Sequence, residues 1–199
     1  MKNPLLKRKM NLSAQTALRF SAPGAAAKQF LNPDFIIPML AQLEKILKGD
    51  VLFLGIGNEL RADDGFGAIL ARRIKDKVGF RVFEAGVSPE NFLGKLIKEK
   101  PDTVLLVDAV DFGGDFAEIK LWDLKSVKTR VSFSTHNSSL SLICDFLKRE
   151  FEVETYLLAM QPKEAGFGKK MSPEVEKKLN EMSSWFKERY PYEHKETVR

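Results

Sequence analysis

One cysteine, Cys144, and two histidines, His136 and His194, are all that the 199 residues hold of the two side chains most used for metal and nucleophile sites. A lone cysteine excludes an internal disulfide and a Cys-x-x-Cys zinc site, and it fits a reducing compartment, so a cytoplasmic location is expected. No apolar run reaches the roughly 20 residues that a membrane-crossing helix needs, and no membrane span is expected. Acidic side chains are absent from residues 1–33, which are rich in Ala, Ser, Lys and Arg but contain no continuous apolar core of a secretory signal. That composition suits an organelle transit peptide, and with so little pattern it suits a loose extension or a misassigned start better.

The charge balance excludes a second class of function. Residues 1–48 hold eight Lys/Arg against Asp34 and Glu44, a net of +6, which leaves −1 for the remaining 151 residues of a chain whose total is +5. A nucleic-acid reader carries its basic footprint on the folded domain, so no nucleic-acid partner is expected. Hydrophobic residues at 44% and charged residues at 30% are the balance of a globular protein, and the length supports one sizeable core.

The periodicity divides the chain into a basic extension (1–48) that ends in an amphipathic helix, a folded domain (49–190) and a charged tail (191–199). In "NPDFIIPMLAQLEKILKGD" Ile36, Met39, Leu40, Leu43, Ile46 and Leu47 recur at helical spacing, with Asp34 as the expected cap and Gly49 as the stop. From residue 51 strand and helix signals alternate. "VLFLGI", "RVFEA", "TVLLVDAV" and "VETYLLAM" read as strands, the first and third buried on both faces. "DGFGAILARRIKDK", "SPENFLGKLIKEK" with Ser88 as cap and Pro89 at its first position, "NSSLSLICDFLKREF" and "SPEVEKKLNEMSSWFKERY" read as helices. "AEIKLWDL" alternates after a Gly-Gly turn and suits an antiparallel edge strand. The pattern predicts an α/β fold, a three-layer α/β/α sandwich around a mainly parallel sheet with one antiparallel edge strand.

In such a fold the loops that leave the carboxyl ends of the strands share one edge. Asp63 and Asp64 follow the first strand, Asp108 and Asp111 lie at and beyond the end of "TVLLVD", and His136 stands directly before a helix. The glycine-rich stretch "GIGNELRADDGFG" (residues 55–67) invites a phosphate cradle. Position 60 is Leu where a dinucleotide fingerprint has glycine, and two aspartates would repel the phosphates. Helix capping accounts for one carboxylate, and Asp63 is assigned that role; Asp64 is the one expected to point into the cleft. A strand-terminal aspartate bonded to loop amides and a histidine satisfied by a carbonyl are the simpler readings of Asp108 and His136. Taken together, Asp64, Asp108 and His136 form a mixed oxygen and nitrogen set suited to zinc, nickel, manganese or iron, and ligand softness does not choose among them. His194 reads as a solvated tail residue and Cys144 as core.

"GIGNELRADDGFG" resembles the Gly-x-Gly-Asn...Asp-Asp/Glu-Gly motif of the [NiFe]-hydrogenase maturation endopeptidases. "GVSPEN", "LLVDAVDFG", "STHNSSL" and "LLAMQPKEAGFG" follow in that family's order over roughly residues 50–188, most similar to the branch serving formate-hydrogenlyase-type hydrogenases. The resemblance implies an endopeptidase that removes the C-terminal extension of a hydrogenase large-subunit precursor. It implies Asp64, Asp108 and His136 as catalytic and nickel-contacting residues, with nickel supplied by the substrate as a recognition mark and no tightly bound organic cofactor. Ala159 stands where many members have glycine, and residues 1–48 have no counterpart in the short members. In this reading water attacks the peptide bond, activated through the metal or by a carboxylate, since no Ser-His-Asp or Cys-His arrangement is available. Two competing readings use the same residues: a nickel-sensing chaperone that binds the precursor without cutting it, and a zinc hydrolase with a different peptide substrate. Substrate choice is expected in the loops at 88–91 and 161–168.

Overall fold

The computed structural model describes residues 33–125, 143, 145–147 and 153–193. Cys144, His194 and the "STHNSSL" segment with His136 lie outside the described residues. Two compact units divide the chain, Met1–Pro38 and Met39–Arg199. Helix α1 (Pro33–Ile46) begins in the first and ends in the second.

The second unit is built on a sheet of β1 (Val51–Ile56), β2 (Arg81–Gly86), β3 (Thr103–Ala109), β4 (Ile119–Asp123) and β5 (Glu154–Met160), in the spatial order β2-β1-β3-β5-β4. The pairs β1/β2, β1/β3 and β3/β5 are parallel, and β4 runs antiparallel on the outer side of β5. The pattern of the two central strands follows from this placement. Every residue of β1 and β3 is buried, because helices cover both faces, whereas the edge strand β4 is only half-buried.

Alternate side chains feed two cores. Val51 and Phe53 of β1 join Leu105 and Val107 of β3 under α1, α2 (Phe66–Ile74) and α4 (Pro173–Arg189). Leu52, Leu54 and Ile56 join Val104 and Leu106 under α3 (Leu93–Glu99) and the helical residues Ile143 and Leu147. Helices thus lie on both faces, as the strand-helix alternation predicts. Met39, Leu43 and Leu47, the helical stripe read from the sequence, belong to the first core.

Several local expectations are corrected. The helix expected from Asp64 to Lys77 divides into a 3-10 turn (Ala62–Gly65) and the α-helix proper, which stops at Ile74; Asp76 then takes φ +59°. Ser88 makes no side-chain cap bond; Pro89 opens a 3-10 turn (Pro89–Phe92) and the α-helix starts only at Leu93. Asp34 falls inside the first turn of α1, so it is not the residue before the helix. Each correction concerns an element end, where side-chain capping competes with tighter turns for the same backbone donors.

Between α4 and the sheet the core is aromatic. The rings of Phe53 and Phe186 meet edge to face at 5.5 Å, and Trp185 packs on Phe186 at 4.9 Å. Phe186 is fully buried. Phe186→Ala is expected to cost about 3–5 kcal/mol through lost burial and the cavity left behind. Urea unfolding of the two proteins measures it, and a loss below about 1 kcal/mol would mean that α4 is not held by this cluster.

Candidate active site

The carboxyl ends of β1 and β3 are adjacent, with Gly55 opposite Val107 in the parallel register. The chain leaving β1 must turn at once to form α2 on the face of the sheet, and two glycines permit it. A Cβ on Gly67 would sit 2.1 Å from the Val107 carbonyl oxygen and 2.4 Å from that of Ile56; one on Gly55 would meet the Gly67 oxygen at 2.2 Å. Helix α2 therefore begins in backbone contact with both strand ends, and the turn before it packs against β3.

That turn carries Asp63 and Asp64, 0% and 3% exposed, and Asp108 at the end of β3 is 0% exposed. The fold thus brings Asp64 and Asp108, 44 positions apart in sequence, to one edge of the sheet. Asp64 accepts a hydrogen bond at Oδ2 from the Asn58 amide at 3.1 Å, and its carbonyl oxygen accepts from the same amide at 3.2 Å. Asp108 Oδ1 accepts from the Ala109 amide at 2.8 Å. Among the described residues no group of three or more His, Cys, Asp or Glu is placed to hold a metal ion, and His136, the third expected member, lies outside them. Carboxylate oxygens are hard donors of the kind that a metal ion takes.

Asp63 does not cap the helix. Neither the 3-10 turn nor α2 has a side-chain cap bond. Its Oδ2 instead accepts from the amides of Lys163 and Glu164, each at 2.9 Å, and from the Ser172 hydroxyl at 2.7 Å; Oδ1 accepts from the Ser172 amide at 2.7 Å. The Asp63 amide in turn donates to the Glu164 carbonyl at 3.0 Å. One buried carboxylate therefore fastens the loop after β5 to the loop after β1. Ala62, directly before it, is buried with φ +52°, a left-handed conformation that costs an alanine about 1 kcal/mol.

A second clamp closes the loop after β3. Gln161 Oε1 accepts from the amides of Phe112 and Gly114 at 2.8 and 3.2 Å, and Nε2 donates to Asp111 Oδ1 at 3.0 Å. The Gln161 amide and the Gly113 amide hold the Asp111 carboxyl below the usual carboxylate range. The sequence reading missed both clamps. No local signal announces them, because Asp63 finds its partners 100 and 109 positions away and Gln161 reaches Asp111 across 50. Ala159 lies in regular strand opposite Asp108, at a position that needs no glycine.

Residues 67–186 match the family model described as hydrogenase maturation protease, of the HycI type. The chain belongs to the hydrogenase maturation protease family. It is 34% identical over 120 residues to the hydrogenase 3 maturation protease of Escherichia coli K12, a match covering 59% of this chain and 76% of that one. The crystal structure of the [NiFe] hydrogenase maturation protease HycI from Thermococcus kodakarensis superposes with a TM-score of 0.66 at 31% identity, over 74% of this chain and 97% of that one. A crystal structure of a hydrogenase 3 maturation protease superposes with a TM-score of 0.61 at 28% identity, over 69% and 89%. The protein is therefore a peptidase, and Asp64 and Asp108 lie at the carboxyl edge of its parallel strands.

The separate tasks of neighbouring residues can be tested in this peptidase. Asp63→Ala leaves buried donors unmet and is expected to cost about 3 kcal/mol of stability, whereas Asp64→Asn changes stability by less than about 1 kcal/mol. Chemical denaturation of both variants decides it; equal costs would contradict the division of roles. The depressed Asp111 pKa gives a second prediction. Its stabilising bonds are in place above the unfolded carboxylate pKa and are lost as pH falls through the lower folded value. In Gln161→Leu the Asp111 pKa is expected to rise toward its ordinary value, and an NMR titration showing no rise would remove Gln161 as the cause.

Proposed function

We propose that this peptidase removes the C-terminal extension of a [NiFe]-hydrogenase large-subunit precursor, with the nickel already in that precursor as its recognition mark. Membership of the family supports processing of a hydrogenase precursor. The observation that carries the finer reading is the pair of buried aspartates, Asp64 and Asp108, on the ends of two adjacent parallel strands. Two carboxylates held by backbone amides offer oxygen donors to a cation carried by another protein, and His136 is proposed as the third donor. A partial ligand set suits a cation on loan, because a site that held nickel tightly would strip it from the client or fail to let go.

In this mechanism the three side chains approach the precursor's nickel and so fix the scissile bond in the cleft. Water adds to the scissile carbonyl carbon, the C–N bond breaks, and the proton lost by the water is delivered to the leaving amine. A carboxylate of the pair is suited to carry that proton, since both lie beside the anchored peptide. Positioning provides much of the rate, which is why the clamps at Asp63 and Gln161 matter to a reaction in which they do not take part. The lone cysteine supports a reducing, cytoplasmic setting for the same step.

Mass spectrometry of a hydrogenase large-subunit precursor, nickel-loaded or nickel-free, tests the reading directly. The unaltered protein is expected to shorten the loaded precursor alone, and Asp64→Asn and Asp108→Asn to lower the rate by about 100-fold or more while keeping the native fold by circular dichroism. Cleavage of both precursors at one rate would remove nickel as the mark. Binding without cleavage would favour a nickel-sensing chaperone.

A further inference from the structure

We infer that Leu60, Phe116 and Phe167 form a docking surface beside the aspartates for an apolar segment of the precursor that the peptidase cuts. The inference rests on the precursor-processing reading and adds to it a second point of recognition, independent of the metal.

Six large apolar side chains are exposed among the described residues, and four of them stand on loops at the carboxyl edge of the sheet. They are Leu60 at 62%, Val87 at 49%, Phe116 at 59% and Phe167 at 73%; the other two are Ile97 on α3 and Tyr192 near the chain end. Single exposed apolar residues are ordinary, but a concentration of them around one edge marks an interaction surface. Three of the four are joined through one segment. The Gly168 amide donates to the Leu60 carbonyl at 2.8 Å, which brings Phe167 beside Leu60. From the same segment the Lys163 ammonium lies 5.8 Å from the centre of the Phe116 ring.

This segment is pinned by Asp63 through its amides at 163, 164 and 172. The tips therefore stand on an anchored base, and rigid apolar anchors lose little entropy when a partner covers them. Their occupant follows from where they stand. A protein that offers a peptide bond to Asp64 and Asp108 must cross the loops that leave β1, β3 and β5, the loops that carry these side chains. Exposed charges of both signs flank these side chains, Glu59, Asp115 and Glu164 as well as Lys169 and Lys170, so the segment that fits is held by its apolar side chains and not by net charge.

Cleavage kinetics on the nickel-loaded precursor test the surface, with Leu60→Ser, Phe116→Ser and Phe167→Ser made singly and together and Ile97→Ser as control. The combined variant is expected to raise KM at least about tenfold, with kcat within about twofold of the parent. Thermal unfolding of all variants should match the parent, since the altered side chains are exposed; the control should leave KM unchanged. An unchanged KM in the combined variant overturns the inference. So does light scattering that shows a dimer broken by the substitutions while KM stays constant, which would give the surface to a second copy of the chain. If the unaltered protein cuts no precursor, the processing reading fails separately. Precursor binding to the immobilised proteins then decides the surface: weaker binding by the combined variant upholds it, and equal or absent binding overturns it.

Discussion

Backbone meets backbone where α2 starts, with no side chain between the helix and the ends of β1 and β3, and the site depends on that approach. A methyl group at Gly67 would fall within 2.4 Å of two carbonyl oxygens, a distance no real Cβ contact tolerates. With the helix that close, the turn preceding it is pressed onto β3, and Asp64 comes to the edge where Asp108 ends its strand. The glycines of "GIGNELRADDGFG" thus act through distance and not through a bound phosphate. Gly57 contributes in the same way, since its φ of +137° lets the chain return so that the Asn58 amide reaches Asp64.

Close packing sets the position of the turn, and hydrogen bonds fix its conformation. Ala62 is held in the left-handed region, and the structure that holds it is the cluster of bonds on the next residue. Asp63 gathers four donors from the loop after β5, so a strained backbone and an anchored loop are two results of one buried carboxylate. Gln161, at the start of that same loop, binds the loop after β3. The three loops around the edge are consequently tied to one another and not only to the sheet. A reaction that relies on presenting a bond at a fixed place gains from such ties.

Adjacent aspartates in one turn illustrate how far chemistry type and residue role can separate. Both are buried and both accept from amides, yet Asp63 bonds to the loop after β5 and Asp64 to Asn58 within its own loop. A capping role for Asp63 was a sound expectation from local rules, because an aspartate before a helix usually meets the first free amides. Here the 3-10 turn supplies those amides with carbonyl partners, as in the bond from the Asp64 amide to the Arg61 carbonyl at 3.1 Å. The carboxylate was left to bond elsewhere.

Strand and helix order, the two-faced burial of β1 and β3, the antiparallel edge strand β4 and the edge location of Asp64 and Asp108 were legible from the sequence. Each rests on periodicity or on residues near one another in the chain, and periodicity reports which faces are covered. The exact starts of α2 and α3 were not, because a 3-10 turn and a capped α-turn use the same residues. Nor could the chain order alone reveal the Asp63 and Gln161 clamps or the gathering of Leu60, Phe116 and Phe167 at one edge. Those depend on loops brought together from distant positions, and only packing the sheet and its helices sets the distances between them.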